Sequence, residues 1–234
     1  MKLGILETGA PPGGLEKEFG DYSAMFKHML RDAGFTGAIE TIDVVKNQFP
    51  ATPEAFDAYL VTGSAAGVYD PEPWIAPLIG FLRSAKGRAK LVGVCFGHQV
   101  MAEAFGGKVI KSPKGWGLGL TDYAVEDVEP WMDPVASVAL AASHQDQVVE
   151  LPPGARIVAA SDFTPYAALA YGDQPAISIQ PHPEFAPEYA SALIERRLET
   201  VLTEAQGRAA MATYTRPNDN ARVGGWIRRF LERP

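Results

Sequence analysis

A lone cysteine lies where an apolar strand pattern meets a helical one. The stretch from Lys90 to Val94 is typical of a strand, Cys95 follows it directly, and Gly93 and Gly97 stand two residues away on either side. When a strand turns sharply into a helix, the residue at the turn is strained, and neighbours without a Cβ let the two elements pack closely. A thiol at a helix N-terminus is also favoured as the nucleophilic thiolate. The spacing predicts a nucleophile at Cys95, against the alternative of a small buried hydrophobe.

Two backbone segments could stabilise an oxyanion next to this thiol. The backbone N–H of Phe96 lies at the start of the predicted helix, and a second donor could come from Thr62-Gly63-Ser64, which follows an apolar strand pattern from Ala58. The carboxyl ends of parallel strands meet at one edge of an α/β sheet, where ligands bind. Removing one such donor typically costs about 10²- to 10³-fold in rate, so this loop matters if the chemistry is acyl transfer.

A cysteine nucleophile needs a general base, and the sequence offers four histidines. His28 lies in a helical pattern and is interpreted as a surface or packing residue, and His98 is predicted to point away from the thiol. His144 and His182 each have an acid two positions on, which is one face of an extended chain. The prolines on both sides of His182 enforce that extended form, so Glu184 can orient the imidazole. The residues therefore favour His182 over His144 without excluding the latter.

Short apolar runs alternate with amphipathic stretches along the first half of the chain, which favours a mainly parallel sheet flanked by helices. Strands are predicted over 2–6, 38–44, 58–62, 89–94, 109–110, 120–125, 147–149, 156–160 and 176–179, and helices over 15–33, 74–85, 97–105, 187–204 and 221–231. The later strands are expected to join the sheet in antiparallel fashion. The fold class is thus α/β, with 1–234 as a single domain and 187–234 as a helical C-terminal extension.

Composition narrows the classes of protein. The 234 residues include 47% hydrophobic side chains and no apolar run near the length of a membrane span, so a soluble protein is expected. The first residues do not resemble a signal peptide, which predicts a cytoplasmic location. A net charge of −7 argues against nucleic-acid binding, and Arg196-Arg197 is interpreted as a solvated helix face. One cysteine excludes an internal disulfide and a cysteine-rich zinc site.

The motifs around Cys95 and His182 together resemble the signature of class I glutamine amidotransferases. They are Gly93-Val94-Cys95-Phe96-Gly97-His98-Gln99 and Pro181-His182-Pro183-Glu184, and the likeness extends through Thr62-Gly63-Ser64 and Ser143-His144-Gln145-Asp146 to about residue 186. Val68-Tyr69-Asp70 and Gly115-Trp116-Gly117 further resemble a stand-alone branch that is similar to the glutaminase part of GMP synthase. The resemblance implies a flavodoxin-like three-layer fold.

The resemblance also implies roles for individual residues. Cys95, His182 and Glu184 would form a catalytic triad, and Gly63 and Phe96 would supply the oxyanion hole. The bound γ-glutamyl group would contact four residues: Gln99, His144, Gln145 and Asp146. The implied reaction is thioester formation on the glutamine carboxamide with release of ammonia, and it requires neither a metal nor another cofactor.

Three functions are compatible with these residues. The first is a glutaminase that works alone or supplies ammonia to a separate synthetase subunit, and the second is a γ-glutamyl peptide hydrolase that uses the same triad. The two differ in the leaving-group pocket, expected to involve Tyr69 to Pro77 and Trp116. The third is a non-catalytic binding or regulatory protein. A homodimer through Trp226, Ile227 and Leu231 is considered, although packing of these residues against the body of the protein is favoured.

Overall fold

The computed structural model describes residues 1–198 and 200–233, and its centre is a nine-stranded sheet. The strand order is β2-β1-β3-β4-β11-β10-β9-β6-β7, and β5 pairs with β8 in a separate antiparallel ribbon. The strands are β1 (Lys2–Glu7), β2 (Ala38–Asp43), β3 (Ala58–Val61), β4 (Lys90–Val94), β5 (Lys108–Lys111), β6 (Gly117–Val125), β7 (Ser137–His144), β8 (Asp146–Glu150), β9 (Ala155–Ala160), β10 (Ala168–Tyr171) and β11 (Ala176–Ile179). The helices are α1 (Glu16–Phe19), α2 (Tyr22–Asp32), α3 (Ile75–Ala85), α4 (Phe96–Ala104), α5 (Pro187–Glu195), α6 (Glu204–Ala212) and α7 (Asn220–Glu232).

Five neighbouring strands, from β2 to β11 in the sheet order, pair in parallel, and the remaining pairs are antiparallel. The parallel centre is apolar because helices cover both of its faces: β3 and β11 are buried at every position. On one face Leu3 and Ile5 pack against α2 and α7, and on the other Leu6 packs against α3 and α4. The predicted α/β class, with antiparallel strands added to a mainly parallel sheet, is confirmed.

Two predicted helices are interrupted. The pattern over 15–33 is divided into α1 and α2 because Gly20 has φ 80° and Asp21 then caps α2, its side chain accepting a 2.6 Å hydrogen bond from the backbone N–H of Ala24. The second predicted helix, over 187–204, includes Glu199, which lies outside the described residues. In the structure α5 ends at Glu195, and a capping box of Thr203 and Gln206 begins a separate helix, α6.

Two strands escaped the sequence prediction. Strand β7 contains three alanines and strand β10 two, and alanine is depleted in strands. The two strands together contain a single β-branched residue, Val138, so the strand signal is weak. Trp226, Ile227 and Leu231 lie on the buried face of α7, at most 3% exposed, so they pack against the body of the protein as favoured and offer no dimer face. That the whole chain is one domain stays a prediction.

No helix of the described residues has the length and apolar character needed to cross a bilayer.

Candidate active site

Cys95 lies at a strained turn between β4 and α4. Its φ and ψ are 54° and −104°, a backbone conformation that non-glycine residues rarely adopt. Three backbone hydrogen bonds hold the turn: the Cys95 N–H donates to Ile179 over 2.9 Å, and the N–H groups of Gly97 and Gln99 donate to Thr62 and Cys95 over 3.1 Å each. The backbone of two neighbouring strands therefore fixes the position of the thiol.

The flanking glycines are required by close contacts. A Cβ on Gly93 would lie 2.4 Å from the carbonyl oxygen of Gly97, and a Cβ on Gly97 would lie 2.2 Å from that of Val61. Both distances are far shorter than any real Cβ contact. The packing that the sequence predicted around Cys95 is present, and it presses α4 directly onto β3.

His182 and Glu184 follow the neighbouring strand β11 and reach the same edge of the sheet. The imidazole Nδ1 donates to Glu184 Oε1 over 2.7 Å, and both side chains are buried. The ring of Phe185 stacks on the imidazole with centroids 3.8 Å apart. A single bridge from the His182 N–H to the carbonyl oxygen of Ala141, 2.9 Å long, ties this segment to β7.

The charge state of His182 is set by opposing effects. Burial lowers the pKa of the imidazole, but the negative charges of Glu184 and Cys95 outweigh it and raise that pKa above its ordinary value. Because Nδ1 is hydrogen-bonded to Glu184, Nε2 is the ring nitrogen that can exchange a proton with the thiol. The arrangement has the components of nucleophilic acyl transfer: a thiolate, an adjacent acid-base group and its orienting carboxylate.

Gly63 lies against the two reacting side chains. A Cβ there would be 3.2 Å from Cε1 of His182 and 3.7 Å from Cβ of Cys95. The preceding residue, Thr62, is held in place by a hydrogen bond, because its hydroxyl accepts from the Thr8 N–H over 3.0 Å. The loop that was predicted to contribute an oxyanion donor is thus beside Cys95, as is the first residue of α4, Phe96.

An open cleft with a volume of about 380 Å³ leads to Cys95. Of the predicted substrate-contact residues, Gln99, His144, Gln145 and Asp146 all line it. The amide nitrogen of Gln99 donates to the carbonyl oxygen of Asp146 over 3.0 Å and to Gln180 Oε1 over 3.1 Å, so its position is fixed. The structure therefore brings all four predicted substrate-contact residues to the cleft that contains Cys95.

The other histidines lie apart from the reacting atoms. His144 Nδ1 bonds the carbonyl oxygen of Asp146 over 3.1 Å, and burial lowers its pKa to about 4. The side chain of His98 lies beneath the turn between β4 and α4, where its Nδ1 is 2.8 Å from Ser178 Oγ. Burial lowers the pKa of this imidazole to about 3. His28 is exposed and pairs with Asp32. His144 and His98 are neutral at physiological pH and are unsuited to the role of His182.

Sequence reasoning was incomplete in the outer part of the cleft. Tyr69 and Asp70 line it, but Trp74 is buried against Phe96, so only the beginning of the predicted segment Tyr69 to Pro77 reaches the cleft. Ser143, Lys111 and Arg197 also line it. The interpretation of Arg196-Arg197 as a solvated helix face is wrong for Arg197, which is partly buried. Its contact with Ser143 joins residues 54 positions apart, which no local pattern reveals.

Among the described residues, no group of three or more His, Cys, Asp or Glu side chains is arranged to hold a metal ion.

Fold and site together define a class of protein, and the comparisons with known proteins agree. The model of the family described as glutamine amidotransferase class-I matches residues 18–200. The chain belongs to this family.

Individual relatives extend the match over most of the chain. A glutamine amidotransferase-like protein of Schizosaccharomyces pombe is 28% identical over 98% of both chains, and gamma-glutamyl peptidase 4 of Arabidopsis thaliana is 30% identical over 78% of this chain and 75% of its own. GMP synthases match over a shorter stretch, 40% of the chain. The crystal structure of a glutamine amidotransferase from Thermotoga maritima shares the fold, with a TM-score of 0.76 at 19% identity, covering 98% of this chain and 96% of that one.

Proposed function

We propose that this protein hydrolyses the γ-amide bond of glutamyl substrates through a thioester on Cys95, with glutamine as the simplest substrate. The observation that supports this most directly is the strained thiol beside the buried His182–Glu184 pair. Membership of the amidotransferase family points to the same bond.

The reaction would run in two halves. The Cys95 thiolate attacks the γ-carbonyl carbon, a C–S bond forms, and the negative charge moves to the carbonyl oxygen. When the intermediate collapses, the C–N bond breaks and His182 Nε2 gives its proton to the departing nitrogen, which leaves as ammonia or an amine. Water then gives a proton to His182 and attacks the thioester, so that the C–S bond breaks and glutamate leaves. Glu184 stays ionised and stabilises the imidazolium.

The backbone N–H groups of Gly63 and Phe96 would stabilise the oxyanion. A Cβ added to Gly63 would touch both reacting side chains, so its backbone lies close to them, and Phe96 begins the helix whose positive end meets the site. A hole built from backbone donors on fixed elements needs no rearrangement when charge develops, which is the condition under which such donors are most effective.

The glutamyl part would lie towards Gln99, His144, Gln145 and Asp146. Asp146 is an acidic group at this end, and burial raises the pKa of its carboxyl while the hydroxyl of Tyr69 donates to it over 2.9 Å. A carboxylate at this position suits the α-ammonium group of glutamine. Gln99 would act by holding the backbone of Asp146 in place.

The test measures glutamate and ammonia released from glutamine by the wild-type protein, by Cys95→Ala and by Cys95→Ser. Wild-type turnover that both substitutions reduce at least about 10³-fold is expected, because the nucleophile is lost. In a rapid quench, the wild type should also gain the mass of one glutamyl residue at Cys95. If the Cys95→Ala variant is as active as the wild type, the proposal is wrong.

γ-Glutamyl peptides are the second candidate substrates. They are favoured by the cleft of about 380 Å³, whose total volume exceeds what glutamine needs, and by the likeness to gamma-glutamyl peptidase 4. A panel of γ-glutamyl dipeptides, assayed beside glutamine, separates the two. Wild-type protein that turns over neither substrate class would indicate a required synthetase partner if adding that partner restores activity, and a non-catalytic role otherwise.

A further inference from the structure

Arg197 follows α5 and turns into the cleft that leads to Cys95. It differs in this from its neighbour Arg196, which is exposed and lies beside Gly13 on the outer surface. The proposed thioester mechanism gives Arg197 no task. A partly buried cation in a substrate cleft therefore requires an explanation.

Two contacts hold the guanidinium in place. Nη1 donates to the hydroxyl of Ser143 over 2.7 Å, and the guanidinium carbon lies 4.9 Å from the centroid of the Trp116 ring. Trp116 is itself supported by the apolar cluster of Ile194, Leu202 and Ala210. An arginine with one face on an indole and one nitrogen on a hydroxyl keeps further N–H donors for a ligand, and its planar fork matches a carboxylate.

Among the described residues, no carboxylate neutralises the charge of this arginine. No carboxylate of residues 1–198 or 200–233 lies within 4 Å of it, whereas most of the other arginines in these ranges have such a partner. Burial lowers the pKa of the guanidinium, so a part of its hydration has already been removed. An anion that enters the cleft would find a fixed and partly desolvated partner.

The position of Arg197 indicates which part of a substrate it would meet. Its charge interacts with Cys95 and with Tyr22 and Tyr189. The two tyrosines pack on Phe185, the ring that stacks on His182. This is the side of the thiol from which His182 would give a proton to the leaving nitrogen.

The cleft also contains acidic groups. The carboxyl of Asp146 accepts a 2.9 Å hydrogen bond from the hydroxyl of Tyr69, and Asp70 also lines the cleft. Arg197 contacts Ser143 and Trp116 instead, so the two charged groups have separate sets of contacts within one cleft.

We propose that Arg197, supported by Ser143 and Trp116, binds a carboxylate of the leaving amine, so that γ-glutamyl amino acids and γ-glutamyl peptides are the preferred substrates. This inference rests on the proposed γ-glutamyl amide hydrolysis and identifies its substrate class. Glutamine, whose leaving group is ammonia, uses the same reacting atoms but makes no contact with Arg197.

The experiment compares γ-glutamylglycine with γ-glutamylmethylamide, which lacks only the leaving-group carboxylate, and with glutamine. Wild type, Arg197→Met and Ser143→Ala are assayed, with Arg196→Met as the matched control. For Arg197→Met we expect kcat/KM to fall about 10²-fold on γ-glutamylglycine and to stay within about 3-fold on the other two substrates, because only the first loses a charge-assisted hydrogen bond. Ser143→Ala should show the same selectivity with a smaller effect, and Arg196→Met none.

Three outcomes would overturn the inference. An equal loss on all three substrates would place Arg197 at the glutamyl part or in a structural role, and an unchanged γ-glutamylglycine rate would leave it without a ligand. A loss of the same size in Arg196→Met would indicate a general charge effect.

A second measurement separates this inference from the proposed function. Wild-type protein without turnover of any of the three substrates would contradict the proposed function alone. Binding of γ-glutamylglycine and γ-glutamylmethylamide is then measured calorimetrically with the Cys95→Ala variant, with and without Arg197→Met. Tighter binding of γ-glutamylglycine that disappears with Arg197→Met supports the carboxylate site, and equal binding of the two ligands rejects it.

Discussion

The two sides of the cleft are built in different ways. Around Cys95, main-chain contacts between β3, β4, β11 and α4 set the positions, and there is no room for a single Cβ at Gly93 or Gly97. Around Arg197, side chains do the positioning: a hydroxyl, an indole and a guanidinium from three separate segments. We call the surroundings of Cys95 the inner side of the cleft and the surroundings of Arg197 the outer side. The inner side has little freedom to change, whereas the outer side can be altered one side chain at a time.

This difference suggests how chemistry and selectivity are divided. Thioester formation requires sub-ångström placement of thiol, imidazole and oxyanion donors, which a backbone shared between neighbouring strands provides. Selection of a leaving group requires only a shaped and charged pocket, which substitutable side chains provide. Changes on the inner side should therefore alter folding and kcat, and changes on the outer side should alter substrate preference and KM.

The strongest challenge to the inner side is Gly97→Ala. The new Cβ would lie 2.2 Å from the carbonyl oxygen of Val61, and main chain cannot move away as a flexible side chain can. We expect the free energy of unfolding to fall by about 3 kcal/mol or more, measured by urea denaturation.

Gly80→Ala in α3 is the matched control, because nothing lies within 4 Å of its new Cβ. Here alanine should stabilise the helix by up to about 1 kcal/mol. Equal stability of the two variants would show that the turn between β4 and α4 is less tightly packed than its contacts imply. The contrast between a rigid inner side and an adaptable outer side would then be wrong.

The second prediction concerns the charge on His182. Its pKa is raised by Glu184 and the Cys95 thiolate against the effect of burial, so the imidazolium persists through neutral pH and is lost as the pH rises through that raised pKa. The stabilisation from this pair is fully present below the unfolded-state pKa and declines at alkaline pH.

Glu184→Gln keeps the shape of the residue but removes the largest charge that raises the pKa of His182, so that only Cys95 still opposes the lowering effect of burial. The alkaline limb of kcat/KM for glutamine should therefore move to lower pH by at least about 1 unit, and kcat should fall about 10²- to 10⁴-fold. Glu188→Gln, on the exposed side of α5, should change neither. If the alkaline limb does not move in Glu184→Gln, the carboxylate of Glu184 does not raise the pKa of His182, and the prediction is wrong.

The inner side was largely predictable from the sequence, because its signals are local. Gly93, Cys95 and Gly97 lie within five residues, and His182 and Glu184 are two apart between prolines. Each motif also lies at the end of an apolar run that could only be a buried strand. The one long-range assumption in this prediction was that the strands before Cys95 and before His182 are neighbours. The structure confirms it, because β4 and β11 pair in parallel.

The rest of the fold was less accessible for physical reasons. Strand β7 is rich in alanine, and its burial comes from neighbours distant in sequence, so its own pattern is weak. The division of α1 from α2 depends on a positive φ at one glycine, and the end of α5 lacks a glycine or proline to mark it. A helical period continued across both interruptions because the apolar residues on each side keep a similar spacing.

The outer side was the least predictable. Arg197 is adjacent to another arginine, and its sequence gives no sign that one of the two turns inward. Its partners Trp116 and Ser143 come from other parts of the chain, and the three residues meet only after the sheet and α5 are assembled. Sites built from scattered side chains can be recognised from three-dimensional contacts and not from spacing.

The smallest effect is expected from Tyr69→Phe, which probes the acidic end of the outer cleft. The ring is about half exposed, and its hydroxyl donates to Asp146 over 2.9 Å. Losing this hydrogen bond should cost about 1 kcal/mol of substrate binding, since Asp146 is less well oriented towards the glutamyl part. Steady-state kinetics on glutamine should show KM rising about 3- to 5-fold while turnover changes less than about 2-fold, and the urea midpoint should not move. A tenfold or larger loss of turnover, with KM unchanged, would mean that this side chain contributes to the chemistry, and the separation of an inner reacting side from an outer selecting side would not hold at this end of the cleft.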